Sequence, residues 1–293
     1  MGVNTHPTIP GASAAAIQKH YDVGNDFYRL WLDGGLSYSA AMWEPGDTLD
    51  SAQLRKIEFH IHQARAANTD CVLDVGCGWG AALRCLLERH GVRHAVGLTL
   101  SAAQSEWIES LGLDNAEVRV ESWLEHHPKQ PYDAIISIGA FEHFARLEAS
   151  DAEKVQGYRA FFERCREWLK PAGRLSLQTF AYGGVHRREH VRNSEATQFL
   201  ARHIFPETDP PKLTDIAQAL EGVFEMAALR NDRKDYARTC REWSKRLRGN
   251  RVKAAQIAGE DVVANFERYL KLSTIGFETG QLALYRITLS PLR

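Results

Sequence analysis

The 293-residue sequence is poor in cysteine and has no surplus of charge of either sign. Its five cysteines, Cys71, Cys77, Cys85, Cys165 and Cys240, form no C-x-x-C pair. Neither a zinc site nor a disulfide frame is expected from them; they read as reduced, buried thiols of a cytoplasmic protein. Lys plus Arg number 36 against 37 Asp plus Glu, a formal charge of -1, which excludes a field that would draw nucleic acid or steer the chain to a membrane. A charged-then-apolar leader is missing, and no apolar run approaches bilayer length. Export and a transmembrane segment are therefore not expected, and any membrane contact would be peripheral. Internal repeats and low-complexity segments are missing too. What the chain does have is 44% apolar residues and a length that suits one α/β domain, 1–293, with an insertion.

The most informative stretch is CVLDVGCGWG, Cys71 to Gly80, followed by the helical pattern AALRCLLERHG. A short apolar run ends in Asp74, and Gly76, Gly78 and Gly80 follow at every second position, which reads as strand, tight turn and helix. Glycine is required where a Cβ would keep the backbone off a ligand and where φ must be positive. A dinucleotide fold uses G-x-G-x-x-G to bring pyrophosphate to a helix N-terminus. The tighter D-x-G-x-G-x-G spacing adds no phosphate-facing residue and favours a cationic or neutral ligand. It resembles the first motif of class I S-adenosylmethionine-dependent methyltransferases. The plainer reading is an ordinary glycine-rich turn of a doubly wound protein.

Before that turn, IQKHYDVGNDFYRLWLDGGLSYSAAMW places Phe27, Leu30 and Trp31 at helical spacing beside the polar cluster His20, Tyr21, Asp22, Asn25 and Asp26. We expect an N-terminal helical lid over 17–45. After the turn come a helix from Ala81 to His90 closed by Gly91, the strand HAVGLTL, and a helix capped by Ser101 and stopped by Gly112. EVRVE and the β-branched run YDAIISIGA are the next strands, the latter central and buried. A capping box, Ser150-x-x-Glu153, opens a helix that ends at Lys170-Pro171-Ala172-Gly173, and RLSLQTF is the fifth strand. This alternation implies a doubly wound sheet with the ligand beyond the strands' C-terminal ends. It stops between 181 and 222, which we expect to form a cap insertion. DYARTCREWSKRLRG and VVANFERYLKLSTIGF then read as helices, and LALYRITLS as a last, antiparallel strand at the sheet's edge.

HYDVGNDFYRLWLDGGLSYSAAMW, VLDVGCGWG, GLTLSAAQ, YDAIISIGAFEHF, FFERCREWLKPAGRLSLQTF, DYARTCREW and RYLKLSTIGF follow one another in the order found in one family. From His20 onward the chain resembles the cyclopropane-fatty-acyl-phospholipid synthase and mycolic acid methyltransferase family. The resemblance implies a Rossmann-like sheet of seven strands with the last antiparallel, a helical substrate cap after the fifth, and S-adenosylmethionine as cofactor. It implies cofactor contacts at Asp74, Gly76 and Gly78, at Thr99 and Gln104 near the ribose and methionine portions, at Ser122 and Trp123 around the adenine, at Tyr38 and Ser39 over the methionine end, and at Ile138.

Glu142 follows an apolar strand directly, in SIGAFEHF, so a desolvated carboxyl with a raised pKa, able to accept a proton, is expected there. The alternative is an acid that only caps a turn. In the cyclopropane-forming relatives a bicarbonate ion is held by a Cys in Y-S-C, the Glu, a His on the fifth strand and a Tyr in H-Y-x-x-T. Here the Glu and Tyr are Glu142 and Tyr236, but the Cys position is Ala40 and the His position Gln178. We therefore expect Glu142 itself to be the base, oriented by Tyr236 or His143, with Gln178 facing substrate and a methylated or methylene product in place of a cyclopropane.

Methyl transfer to an alkene leaves a carbocation, which aromatic faces stabilise; 12 Phe, 9 Tyr and 7 Trp are available to line such a site. Arg188 and Arg192, at i, i+4 spacing in HRREHVR with His186, Arg187 and His190, suit the anionic head of an amphipathic acceptor. The competing reading is a solvated basic helix face. The partner expected is a small molecule or lipid with an apolar tail, and no metal ligand set is read. Three other functions remain open at this point: methylation of a heteroatom such as an amine, C-methylation of a prenyl diphosphate with Mg²⁺, and a non-catalytic binding module.

Overall fold

The computed structural model describes residues 11, 13, 23–185 and 191–292. Among these, seven strands form one sheet in the order β3-β2-β1-β4-β5-β7-β6: β1 Cys71–Val75, β2 His94–Thr99, β3 Ala116–Val120, β4 Tyr132–Ile138, β5 Leu169–Tyr182, β6 Phe224–Asn231 and β7 Leu282–Pro291. β1 to β5 pair in parallel, and β7 runs antiparallel to both β5 and β6. The doubly wound fold is thus as expected, with one correction. LALYRITLS is antiparallel but not an edge strand, since β6 lies outside it.

The helices are α1 Asn25–Arg29, α2 Leu49–Ala64, α3 Ala81–Arg89, α4 Ala102–Ser110, α5 Asp151–Trp168, α6 Glu195–His203, α7 Leu213–Leu220, α8 Arg233–Gly249, α9 Arg251–Ala258 and α10 Glu260–Thr279. The capping box that opens α5 is present: Glu153 N donates to Ser150 Oγ, and Ser150 N donates to Glu153 Oε2 at 2.7 Å. The ladder of β5 becomes continuous at Arg174, because the Lys170–Gly173 segment bulges out after a first pairing of Leu169 with Tyr132.

Two expected boundaries change. Within the 17–45 lid only α1 is helical among the described residues, and the chain after it is irregular, with Leu36 at positive φ. His20, Tyr21 and Asp22 lie outside the described residues; Asn25 accepts a hydrogen bond from Trp79 Nε1 at 2.8 Å. The expected 181–222 insertion overlaps regular elements of the fold at both ends. β5 continues to Tyr182, and α7 packs on α5 as part of the layer that covers the sheet.

The sheet sorts its burial by face. Leu73, Ile135, Leu175 and Ile287 pack with Phe141, Phe161 and Phe162 of the 3₁₀ turn and α5, whereas Val72, Ala134 and Ile136 pack with α2 and α3. A separate aromatic cluster joins α1 to α8 and α10 through Phe27, Tyr28, Trp31, Trp243 and Phe266. The five cysteines are free.

Candidate active site

Three strand ends build the site. At the end of β1, Gly76, Gly78 and Gly80 have φ of 80°, 54° and 81°, values that an L side chain rarely adopts. A Cβ on Gly76 would lie 2.5 Å from Ala140 Cβ, so the turn can touch the end of β4 only as glycine. At the end of β2, Thr99 Oγ1 donates to Gln104 Oε1 at 2.7 Å, which fixes the first turn of α4 against the cleft. At the end of β4 the chain enters a 3₁₀ turn, Phe141–His143.

Between them lies a cavity of about 360 Å³ lined by Gly76, Gly78, Thr99, Gln104, Ser122 and Trp123, among others. A smaller one of about 70 Å³ is lined by Tyr38, Ser39, Lys56, Asp74 and Ile138. Gly76, Gly78, Gln104 and Gly139 border both, so one elongated ligand can occupy the two together. Every expected cofactor residue therefore falls on one or both walls. Trp123 lines the larger cavity while packing edge-on against Phe161. Asp74 is 3% exposed and its Oδ1 has no hydrogen-bond partner in the described structure. Burial raises its carboxyl to about 7 against the pull of Lys56. An orphan acid facing a cavity fits a cationic ligand.

α2 contributes residues that sequence reasoning missed. Gln53 Nε2 donates to the Ser39 carbonyl at 2.8 Å, and Lys56 Nζ to Ser39 Oγ at 3.0 Å. A signal was available. Gln53, Lys56 and His60 share the helical stripe of Ile57, Ile61 and Ala64, so polar groups sit on the face that packs on the sheet.

Glu142 is 4% exposed, and burial raises its carboxyl to about 7. Thr179 Oγ1 donates to its Oε2 at 3.0 Å, so the neighbour seen to orient it is a threonine that the sequence had not singled out. A Cβ on Gly139 would stand 3.5 Å from Ser39 Cβ and 3.7 Å from Glu142 Oε1, so both groups lie on the side of that glycine where a side chain would be; Gly139 borders both cavities, and Glu142 itself lines neither. His143 diverges from Glu142, because successive residues of a 3₁₀ turn lie about a third of a turn apart, and it lines the larger cavity. Its Nδ1 lies 2.8 Å from Thr208 Oγ1, and burial lowers its pKa to about 4. Tyr236 stacks on Phe277 with centroids 4.3 Å apart, inside the aromatic cluster.

Gln178 is 1% exposed and does not border either cavity. Its Oε1 accepts from Arg286 Nε at 2.8 Å, its Nε2 donates to the Ala40 carbonyl at 3.4 Å, and His60 Nε2 lies 3.4 Å from Oε1. Of the expected anion pair, Arg188 lies outside the described residues, as do His186, Arg187 and His190. Arg192 donates to the Leu147 carbonyl.

The family model described as mycolic acid cyclopropane synthetase matches residues 10–287. Cyclopropane mycolic acid synthase MmaA2 of Mycobacterium tuberculosis is 31% identical over 290 residues, covering 94% of this chain and 96% of its own. The chain belongs to the mycolic acid cyclopropane synthetase family. Cyclopropane mycolic acid synthase 3 of the same organism is 33% identical, covering 92% of each chain. The crystal structure of mycolic acid cyclopropane synthase CmaA1 with SAH and CTAB superposes with a TM-score of 0.85 at 29% identity, covering 95% of this chain and 98% of that one. Coclaurine N-methyltransferase, at 20% identity and a TM-score of 0.79, shares the fold. The protein is accordingly an S-adenosylmethionine-dependent methyltransferase, and the glycine turn, the paired cavities and the orphan Asp74 fit that cofactor. Among the described residues no helix is long and apolar enough to cross a membrane.

Proposed function

We propose that this methyltransferase methylates an alkene carbon of an acceptor with an apolar tail and that Glu142 takes up the proton released afterwards. The observation that carries the reading is the buried Glu142 carboxyl. It is held by Thr179 and lies, with Ser39, beside Gly139, which borders both cavities, so a desolvated proton acceptor stands next to the site.

The cofactor supplies an electrophilic methyl group on a sulfonium. The alkene π pair forms the new C–C bond as the C–S bond breaks, and the positive charge passes to the neighbouring acceptor carbon. Phe27, Tyr28, Trp31, Tyr38, Trp79 and Trp243 form a continuous aromatic cluster that reaches the small cavity at Tyr38 and Trp79. Ring faces of this kind stabilise a cation by about 0.5–2 kcal/mol each. Loss of a proton to Glu142 then leaves a methylene or a new double bond, and the thioether departs. Ala40 brings no thiol, and the Gln178 amide is held by Arg286, so a bound bicarbonate is not the base in this reading. The relatives of this chain are cyclopropane mycolic acid synthases, which makes a lipid acyl chain the first acceptor to test.

The test is incubation with methyl-labelled cofactor and, separately, unsaturated acyl lipids, prenyl diphosphates and amines. Label in a branched or methylene acyl chain supports the proposal; label only on nitrogen overturns it.

A further inference from the structure

Lys56 is a buried ammonium at the wall of a cavity. Its side chain descends from α2 to the small cavity and is 3% exposed. Among the described residues its hydrogen-bond partner is a neutral hydroxyl, Ser39 Oγ at 3.0 Å. Asp33 and Asp74 attract it through space and Arg286 repels it, while burial lowers its pKa to about 8. An ammonium has three N–H donors and no acceptor. Desolvating one without a direct carboxylate partner is unfavourable by several kcal/mol in general, so a charge that persists here has a function that justifies it.

The two cavities divide the cofactor by chemistry. The larger one offers the Trp123 ring and neutral hydroxyls and amides, which suit a nucleoside. The smaller one brings Asp74 and Lys56, an acid and a base, to one space of about 70 Å³, which suits a zwitterionic amino-acid head. We propose that Lys56 recognises the α-carboxylate of S-adenosylmethionine, with Ser39 holding the ammonium in place. The inference rests on the cofactor and not on the identity of the methyl acceptor. Lys56 is thereby a specificity residue: it distinguishes the cofactor from sulfonium compounds that lack the carboxylate.

Calorimetry with S-adenosylhomocysteine and with its decarboxylated analogue tests this without turnover. The wild type should prefer S-adenosylhomocysteine by roughly 10–100-fold, the range for a hydrogen bond between charged groups. Lys56→Met should lose that preference by weakening S-adenosylhomocysteine alone, and Lys56→Arg should restore part of it. Equal weakening of both ligands by Lys56→Met, or no weakening of either, overturns the proposal. If Lys56→Met fails to fold, the wild type decides alone, since failure to discriminate between the two ligands is equally fatal. A wild type that binds neither ligand contradicts cofactor binding itself, a separate result.

Discussion

Gln178 on β5 and Arg286 on β7 are cross-strand partners, and Arg286 Nε donates to Gln178 Oε1 over 2.8 Å. The guanidinium is fully enclosed, pairs with Asp232 and donates to the Ala41 carbonyl at 2.9 Å. Where the resemblance implies a histidine that holds an anion, this chain has an amide already committed to a neighbouring cation. We expect the methyl-transfer rate to be the same in carbonate-depleted buffer and in buffer with bicarbonate added. A rate that falls on depletion and recovers on addition contradicts the assignment.

Glu142→Gln should reduce kcat by about 10²–10⁴-fold and leave cofactor affinity near wild type. The wild-type rate should rise with pH and level off above about 7, where the buried carboxyl becomes ionised. Stability gives a second readout. The folded pKa is raised to about 7 from an ordinary 4.5, so the folded state holds the proton more tightly, and the group's stabilising contribution, full below 4.5, is lost as pH rises to about 7. Relative to wild type, Glu142→Gln should therefore be more stable at pH 8 than at pH 4, as measured by urea midpoints at both values. A constant difference would mean that Glu142 is not titrating in this range.

Asp74 and Lys56 give cofactor affinity a pH optimum. The Asp74 carboxyl is raised to about 7 and must be ionised to meet a cation; the Lys56 ammonium is lowered to about 8 and must stay protonated to meet a carboxylate. Affinity for S-adenosylhomocysteine should peak between these values. Asp74→Asn should flatten the acid limb and Lys56→Met the alkaline limb. Limbs that survive both substitutions belong to other groups.

The turn at Gly76–Gly80 and the capping box at Ser150 and Glu153 were legible in the sequence because each is a local device, specified by residues within a few positions of one another. β6 was not. FEMAALRN has no β-branched residue and, as an edge strand, it exposes most of its side chains, so no alternation marks it. With β6 unseen, β7 was read as an edge, although the fold buries it along seven consecutive residues, Ala283 to Leu289, as it would an interior strand. Motif order gave the residues expected at the cofactor, and they line the two cavities, whereas the contacts of Thr179 with Glu142 and of Lys56 with Ser39 join distant parts of the chain, where sequence distance hides them.

Arg192 is expected to behave as a strut. Its guanidinium donates to the Leu147 carbonyl, just beyond the 3₁₀ turn that bears Glu142. Arg192→Ala should slow turnover by a similar factor for charged acceptors and for neutral ones with the same tail. Arg188→Ala then tests the anion subsite alone, as a rise in KM confined to charged acceptors. A selective loss in Arg192→Ala would reassign that residue to the acceptor's head group.

A buried ion pair ties the loop after α6 to α5. Lys154 of α5 and Asp209 of the cap loop both have side chains at 0% exposure and are bonded to each other. Tyr182 Oη adds a hydrogen bond to Asp209 Oδ1 at 2.6 Å. The residue before Asp209 is Thr208, which holds His143 next to Glu142 in the 3₁₀ turn. Removing one member of a buried pair leaves the other charge uncompensated and typically destabilises by about 3–5 kcal/mol, whereas replacing both with apolar residues is often close to neutral. Asp209→Asn should therefore lower the urea midpoint steeply. It should also lower kcat, because the loop that carries Thr208 loses its anchor. The double variant Lys154→Met with Asp209→Leu should recover most of the midpoint. Single and double variants with equal losses would show that the loop, and not the charge pair, bears the load.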